Sequence, residues 1–185
     1  MAVPRKLFIS LAASLLMLVS LIAAGSLLVF HVPEAHAASG FPSSYFAPYA
    51  EIGTGTSFQS VAQSTGQKYY TLAFMLGNGC NAEWDGTVPL NQTGTFFPTL
   101  DSDIQYVRNL GGDIQISFGG AAGQELAQTC SNASSLQAQY QAVVNQYHLV
   151  RMDFDIEGGE EGDSTTYDRR NTALAALQRA NPGLA

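Results

Sequence analysis

The sequence predicts an α/β fold in which strands and helices alternate and the strands pair in parallel. Apolar runs typical of strands cover residues 45–52, 68–77, 113–118 and 149–157. Apolar residues at helical spacing cover residues 57–65, 100–110, 135–147 and 165–180. Because strand and helix alternate four times, the order predicts right-handed crossovers and a parallel sheet covered by helices.

Residues that usually cap or end helices stand at the ends of these segments. Gly111-Gly112 ends the second predicted helix, and Ser134 is the expected N-cap of the third. Residues 77–94 are rich in Gly and Asn and are predicted to form a loop.

The composition is that of a folded domain. The chain has 185 residues, of which 46% are hydrophobic and 12% charged, and its net charge is −7. A chain this apolar is not expected to be disordered. Its eight Lys and Arg residues are scattered, so no basic patch is present to meet phosphates. We therefore expect no nucleic-acid partner. No cofactor is expected either.

The N-terminus has the features of a secretory signal peptide. Arg5 and Lys6 precede an apolar run over residues 7–30, and Ala35-His36-Ala37 matches an A-x-A cleavage site. The prediction is a signal peptide at residues 1–37, a mature domain at residues 38–185 and a secreted protein. The apolar run is also long enough to cross a bilayer, so an uncleaved membrane anchor remains the alternative.

The two cysteines, Cys80 and Cys130, favour one disulfide bond if the chain is exported. Two free buried thiols are the alternative. A zinc site is disfavoured because the cysteines are far apart in sequence and have no histidines nearby.

The last predicted strand carries three acids at alternate positions. Asp153, Asp155 and Glu157 share one face, whereas Phe154 and Ile156 share the other. In an open doubly wound sheet, helices would bury this acidic face at a cost of several kcal/mol per unpaired charge. The C-terminal mouth of a (β/α)8 TIM barrel offers a polar position. The strand therefore favours a TIM barrel, of which the chain would hold the first four β/α units.

Three carboxyl groups this close are not expected to ionise normally, so at least one pKa should be raised. A protonated acid beside a carboxylate is the arrangement that glycoside hydrolysis requires.

Two other interpretations of the acids are open. The strand matches the start of an EF-hand calcium loop, but Ser164 occupies the position of the required bidentate Glu. A calcium site of another kind could use Glu160, Glu161 and Asp163. A solvent-exposed acidic edge strand is disfavoured by the apolar residues on the other face.

Two motifs resemble those of glycoside hydrolase family 18, the chitinases and their relatives. MDFDIEG at residues 152–158 is similar to the D-x-x-D-x-D-x-E signature of the fourth barrel strand, and SFGG at residues 117–120 to S-x-G-G of the third. YFAPY at residues 45–49 and the loop from Cys80 to Trp84 resemble a bacterial chitinase branch. The resemblance covers most of residues 41–183.

The resemblance implies a role for each acid. Glu157 would be the general acid and then the base. Asp155 would orient the substrate's 2-acetamido group, whose carbonyl oxygen is the nucleophile. Asp153 would share a proton with its neighbour, and Ser117 would be its hydrogen-bond partner.

The substrate-binding residues implied by the resemblance are Tyr49, Trp84, Ser117 and Gly119. Tyr49 and Trp84 are candidates for stacking on sugars, although aromatic residues serve as often in packing.

The implied function is that of a secreted, retaining, substrate-assisted hydrolase of β-1,4-linked N-acetylglucosamine polymers, with a polysaccharide as its partner. A non-catalytic chitin-binding relative is the alternative. A membrane would be a partner only if the signal segment stays uncleaved.

The sequence departs from the family pattern in two respects. Val150 replaces the first Asp of the signature, and Arg151 replaces the usual Gly and could pair with Asp153. Only four β/α units are present, so we expect the N-terminal half of a longer protein. We expect this fragment alone to be inactive and poorly folded, because half a barrel exposes a sheet edge and half a core.

Overall fold

The structure is a computed structural model that describes residues 40–55 and 57–185. The predicted signal peptide at residues 1–37 lies outside the described residues. Within the described part of the chain, no helix is long and apolar enough to cross a membrane.

Six strands form one mixed sheet. They are β1 (Tyr49–Glu51), β2 (Tyr69–Gly77), β3 (Ala82–Trp84), β4 (Val88–Pro89), β5 (Asp113–Gly119) and β6 (Met152–Asp155). The strands β1, β2, β5 and β6 pair in parallel in that order. The hairpin of β3 and β4 pairs antiparallel with the C-terminal end of β2. The predicted α/β fold and the parallel pairing of its four main strands are thus confirmed.

Helices follow each of the parallel strands in the chain. They are α1 (Phe58–Thr65), α2 (Thr93–Phe96), α3 (Leu100–Asn109), α4 (Leu126–Thr129), α5 (Ala133–Tyr147) and α6 (Ser164–Ala180), with 3-10 turns at Leu90–Gln92 and Gly158–Gly162. The four longer helices lie where the sequence predicts them.

The N-cap of α5 differs from the prediction. Asn132, not Ser134, has the extended backbone of a cap, and its side-chain oxygen accepts hydrogen bonds from the amides of Ser134 and Ser135. The amide of Ser134 is thus one of the free N–H groups that the cap satisfies, so Ser134 lies inside the first turn.

Three strand predictions need correction. The first strand is Tyr49–Glu51, shorter than the predicted residues 45–52. Residues 77–94 are not all loop, because they contain β3 and β4. The last parallel strand is shorter than the predicted residues 149–157. Its pairing with β5 ends at Gly119 and Asp155, so the residues beyond have no partner in that strand.

The two faces of the parallel sheet differ in chemistry. Ile114, Ile116 and Phe118 of β5 are fully buried in the apolar core with residues of α5. On the opposite face, Gln115 donates a hydrogen bond to Thr71 of β2. Residues that pair across parallel strands point to the same face, so this polar face continues into the acids of β6.

Candidate functional site

Side chains from three strands meet at Asp153 of β6. Its Oδ2 atom accepts a 2.8 Å hydrogen bond from the Ser117 hydroxyl of β5 and a 2.9 Å bond from the Tyr49 hydroxyl of β1. Ser117 pairs directly with Asp153 in the sheet and is fully buried. The expected bond between Ser117 and Asp153 is therefore present. Because Ser117 is buried, its hydroxyl binds the Asp153 carboxylate and is not exposed to a ligand.

Gly119 and Gly120 let β5 approach the next strand closely. The backbone of Gly119 has φ +107°, and a Cβ atom there would lie 2.1 Å from the carbonyl oxygen of Asp155. The amide of Gly120 donates a 2.8 Å hydrogen bond to that same oxygen. The sequence predicted that Gly119 binds substrate. In the structure its lack of a side chain lets the two strands approach closely, which fixes the position of Asp155.

Glu157 follows the strand on exposed, extended backbone. Its pKa is raised, chiefly by the negative charge of Asp155, with smaller effects from desolvation, a hydrogen bond with Asp155 and the charge of Glu161. Glu157 thus keeps its proton to a higher pH than an ordinary Glu. A carboxyl group that keeps its proton to a higher pH is better suited to act as a general acid.

Tyr49 combines an exposed ring with a bound hydroxyl. Its ring is 54% exposed and lies 5.7 Å from the ring of Phe74, measured between centroids. Burial of the hydroxyl raises the pKa of Tyr49, and the charges of Asp153 and Asp155 act in the same direction. The hydroxyl therefore remains a donor to Asp153, a contact that sequence reasoning missed.

Trp84 is not available to a sugar, so the prediction that it stacks on substrate is wrong. Its side chain is fully buried, and its Nε1 atom donates a 2.8 Å hydrogen bond to the Tyr147 hydroxyl of α5. The two rings pack edge to face at 5.9 Å. The hairpin places Trp84 in the apolar core between the sheet and the helix.

Arg151 does not pair with Asp153 in the described residues. Its guanidinium carbon lies 5.3 Å from the ring centroids of both Phe41 and Tyr45. A cation over the faces of two neighbouring aromatic rings is stabilised by their π-electrons. Asp153 instead takes its hydrogen bonds from neutral hydroxyl groups.

A disulfide bond joins Cys80 to Cys130, as the sequence favoured. Cys80 lies in the loop after β2, and Cys130 lies at the end of α4, in the connection after β5. The bond therefore joins two of the connections that follow parallel strands. Both begin at the edge of the sheet where the acids lie.

Asp163, one of the acids considered for a calcium site, instead binds backbone amides at the start of α6. It caps α6 by accepting hydrogen bonds from the amides of Thr165 and Thr166, and the Thr166 hydroxyl lowers its pKa most. Across residues 40–55 and 57–185, no group of three His, Cys, Asp or Glu side chains is arranged to hold a metal.

A cavity of about 370 Å³ opens beside Glu157. It lies between the connection that follows β5 and the turn that follows β6. Its polar lining residues include Gln124, Gln128 and Glu160. The cavity gives Glu157 a polar space on the side of these loops.

No family model matches the sequence. The chain is 30% identical over 143 residues to a probable bifunctional chitinase/lysozyme of Escherichia coli (strain K12). The matched region covers 75% of this chain and 15% of that protein. It is 32% identical, with a TM-score of 0.66, to catalytic-site mutants of active domain 2 of a thermostable chitinase from Pyrococcus furiosus complexed with chito-oligosaccharides. That match covers 78% of this chain and 46% of that one.

A family GH18 chitinase from Chromobacterium violaceum has a TM-score of 0.56 at 16% identity, covering 77% of this chain and 39% of that one. At this identity the likeness concerns the fold alone. The chain spans less than half the length of each of these three proteins.

Proposed function

Because this chain is a family 18 chitinase-like protein over about three quarters of its length, we propose that the whole protein hydrolyses β-1,4-linked N-acetylglucosamine polymers. One observation carries the proposal. Two hydroxyl groups converge on Asp153, while the charge of Asp155 raises the pKa of Glu157 on the same edge of the sheet. One carboxyl group is thus held in place, and another keeps its proton to a higher pH than an ordinary Glu.

Glu157 is the general acid of the proposed reaction. It gives its proton to the glycosidic oxygen as the bond to the leaving sugar breaks, and it then removes a proton from the attacking water. Its raised pKa supports the first step, because the acid must still carry its proton at the working pH. Its exposed position beside the cavity supports access by a polymer.

Asp155 orients the 2-acetamido group of the sugar. The carbonyl oxygen of that group attacks the anomeric carbon, so the nucleophile belongs to the substrate and the product retains its configuration. The bond between Asp155 and the Gly120 amide supports this role, since it holds the strand at that residue. The hydroxyls of Tyr49 and Ser117 bind Asp153 and fix its orientation beside Asp155.

We extend the proposal to the architecture and take the four parallel strands as one half of a (β/α)8 barrel. An apolar groove of about 380 Å³ beside β6 supports this idea, with Met152, Phe154, Leu174 and Leu184 among its lining residues. Further β/α units packed on this groove would cover its apolar surface.

We also propose that the protein is exported. The disulfide between Cys80 and Cys130 supports an oxidising compartment. N-terminal sequencing of protein recovered from the culture medium should begin at Ala38. A protein that stays with the membrane and keeps residues 1–37 would contradict cleavage.

The test of the activity uses the full-length protein with N-acetylated chito-oligosaccharides. Wild type should hydrolyse them, and Glu157→Gln should abolish turnover but retain oligosaccharide binding measured by calorimetry. Glu161→Gln is the matched control, because it removes an exposed charge from the next turn and should retain most of the activity. Binding without turnover in wild type would favour a non-catalytic relative, and neither binding nor turnover would overturn both ideas.

A further inference from the structure

A buried polar cluster lies behind the acidic strand and plays no part in the chemistry described above. Glu125 is only 1% exposed, and its carboxylate accepts hydrogen bonds from the Tyr140 hydroxyl at 3.2 Å and the Ala127 amide at 2.9 Å. The guanidinium of Arg170, 4% exposed, lies 3.4 Å from the same carboxylate. Burial raises the pKa of Glu125, and the charge of Arg170 opposes that rise.

The cluster reaches the acidic strand through Tyr140. The ring of Tyr140 packs edge to face on Phe154 at 5.7 Å and on Phe118 at 5.1 Å. Phe154 stands between Asp153 and Asp155 on the opposite face of β6. The side chain that closes the cluster therefore also supports the strand from behind.

The cluster reaches the turn after Glu157 through the backbone of Glu125. Its amide donates a 3.3 Å hydrogen bond to Oε1 of Glu160. Glu160 belongs to the 3-10 turn Gly158–Gly162, in which three of the five residues are glycines. Glycine allows many backbone conformations, so a turn of this composition needs an external contact to stay in one of them.

We propose that Glu125 is a positioning residue, whose buried carboxylate anchors the connection after β5 so that its amide can hold Glu160 and with it Glu157. The inference rests on the proposed role of Glu157 as the acid. The bond joins the two walls of the cavity that opens beside Glu157. Its loss would let the turn move and would misplace the acid relative to Asp155.

The test changes Glu160, because replacing the buried Glu125 would leave Arg170 without its partner and could unfold the protein. In full-length protein, Glu160→Ala removes the acceptor, whereas Glu160→Gln keeps an oxygen at the same position. Glu161→Ala removes the same charge from the same turn and is the matched control. Tyr140→Phe removes one bond to the Glu125 carboxylate but keeps the ring against Phe154.

Two readouts are measured, the kinetics on N-acetylated chito-oligosaccharides and the hydrogen exchange of residues 157–163. Glu160→Ala should lower kcat about five- to tenfold, as expected for one net hydrogen bond, with KM within about twofold. It should also speed the exchange of the turn. Tyr140→Phe should change both readouts in the same direction. Glu160→Gln and Glu161→Ala should exchange like wild type and should keep its kcat on the acidic side of the pH profile, where loss of the Glu161 charge does not change the protonation of Glu157.

The inference is overturned if Glu160→Ala has the kcat and the hydrogen exchange of wild type. It is also overturned if kcat falls as much in Glu160→Gln as in Glu160→Ala. Failure of the proposed function is distinguishable from failure of this inference. If wild type shows no hydrolysis, the activity is wrong, and the exchange of residues 157–163 alone decides whether Glu125 and Glu160 hold the turn.

Discussion

Ser117 and Asp153 face each other across neighbouring parallel strands, and the Ser117 hydroxyl donates a 2.8 Å hydrogen bond to Oδ2 of Asp153. A hydrogen bond to a charged group contributes about 1.5–3 kcal/mol. We expect Ser117→Ala to lower kcat of the full-length protein at least about tenfold on chito-oligosaccharides, with KM little changed. The reason is that Asp153 would be free to rotate away from Asp155.

Tyr49→Phe removes the other hydroxyl that binds Asp153 and keeps the ring, so it is the matched comparison. Because both hydroxyls bind one oxygen atom, the effects of Ser117→Ala and Tyr49→Phe should not be additive in the double variant. Wild-type kcat in Ser117→Ala would contradict the orienting role of this bond.

The pH dependence of turnover should follow the charge of Asp155. That charge is the main cause of the raised pKa of Glu157, and a raised pKa keeps the acid protonated to higher pH. In Asp155→Asn the pKa of Glu157 should fall, so the basic limb of the kcat profile of the residual activity should move to lower pH. Glu161→Gln should move it in the same direction by less, because Glu161 is a smaller cause. A basic limb that stays in place in Asp155→Asn would exclude this electrostatic coupling.

The disulfide should contribute strongly to the stability of the fold. Cys80 and Cys130 are 50 residues apart, and closing a loop of that length stabilises a protein by about 4 kcal/mol in the chain-entropy model. The double variant Cys80→Ser/Cys130→Ser should therefore unfold at lower denaturant concentration than wild type. Wild type treated with reductant should unfold near the same denaturant concentration as the double variant. An unchanged midpoint after reduction would show that the bond does not stabilise the fold.

Trp84 should matter for folding and not for sugar contact. Replacing this fully buried side chain by Ala should lower the unfolding free energy by about 3–5 kcal/mol. Tyr147→Phe should lower it less, by about 1–3 kcal/mol, because it leaves the ring in place but removes the acceptor of the buried indole N–H. A Trp84→Ala protein with normal stability but weak oligosaccharide binding would restore the stacking role.

Local patterns in the sequence were sufficient to predict the alternation of strands and helices. The spacing of Asp153 and Asp155 placed both on one face because side chains alternate along a strand. The same rule and the pairing with β5 put Ser117 on that face. These features depend on the period of a strand and on the order of elements, and both can be inferred from residues that are close in the sequence.

Contacts between distant residues could not be predicted in this way. Tyr49 and Asp153 are 104 residues apart, and Trp84 and Tyr147 are 63 apart. The burial of Trp84 depends on a hairpin whose strands have only three and two residues, too short to stand out in a Gly- and Asn-rich stretch. Arg151 likewise faces aromatic rings that belong to the start of the described chain.

We propose that Glu157 and Asp155 act on an N-acetylglucosamine polymer whose own acetamido group is the nucleophile. The most direct measurement is proton NMR of the anomeric protons during the first minutes of hydrolysis of an N-acetylated chito-oligosaccharide by the full-length protein. If the acetamido group is the nucleophile, the β-anomer of the new reducing end should appear first and then mutarotate. The α-anomer appearing first, or no hydrolysis at all, would contradict it.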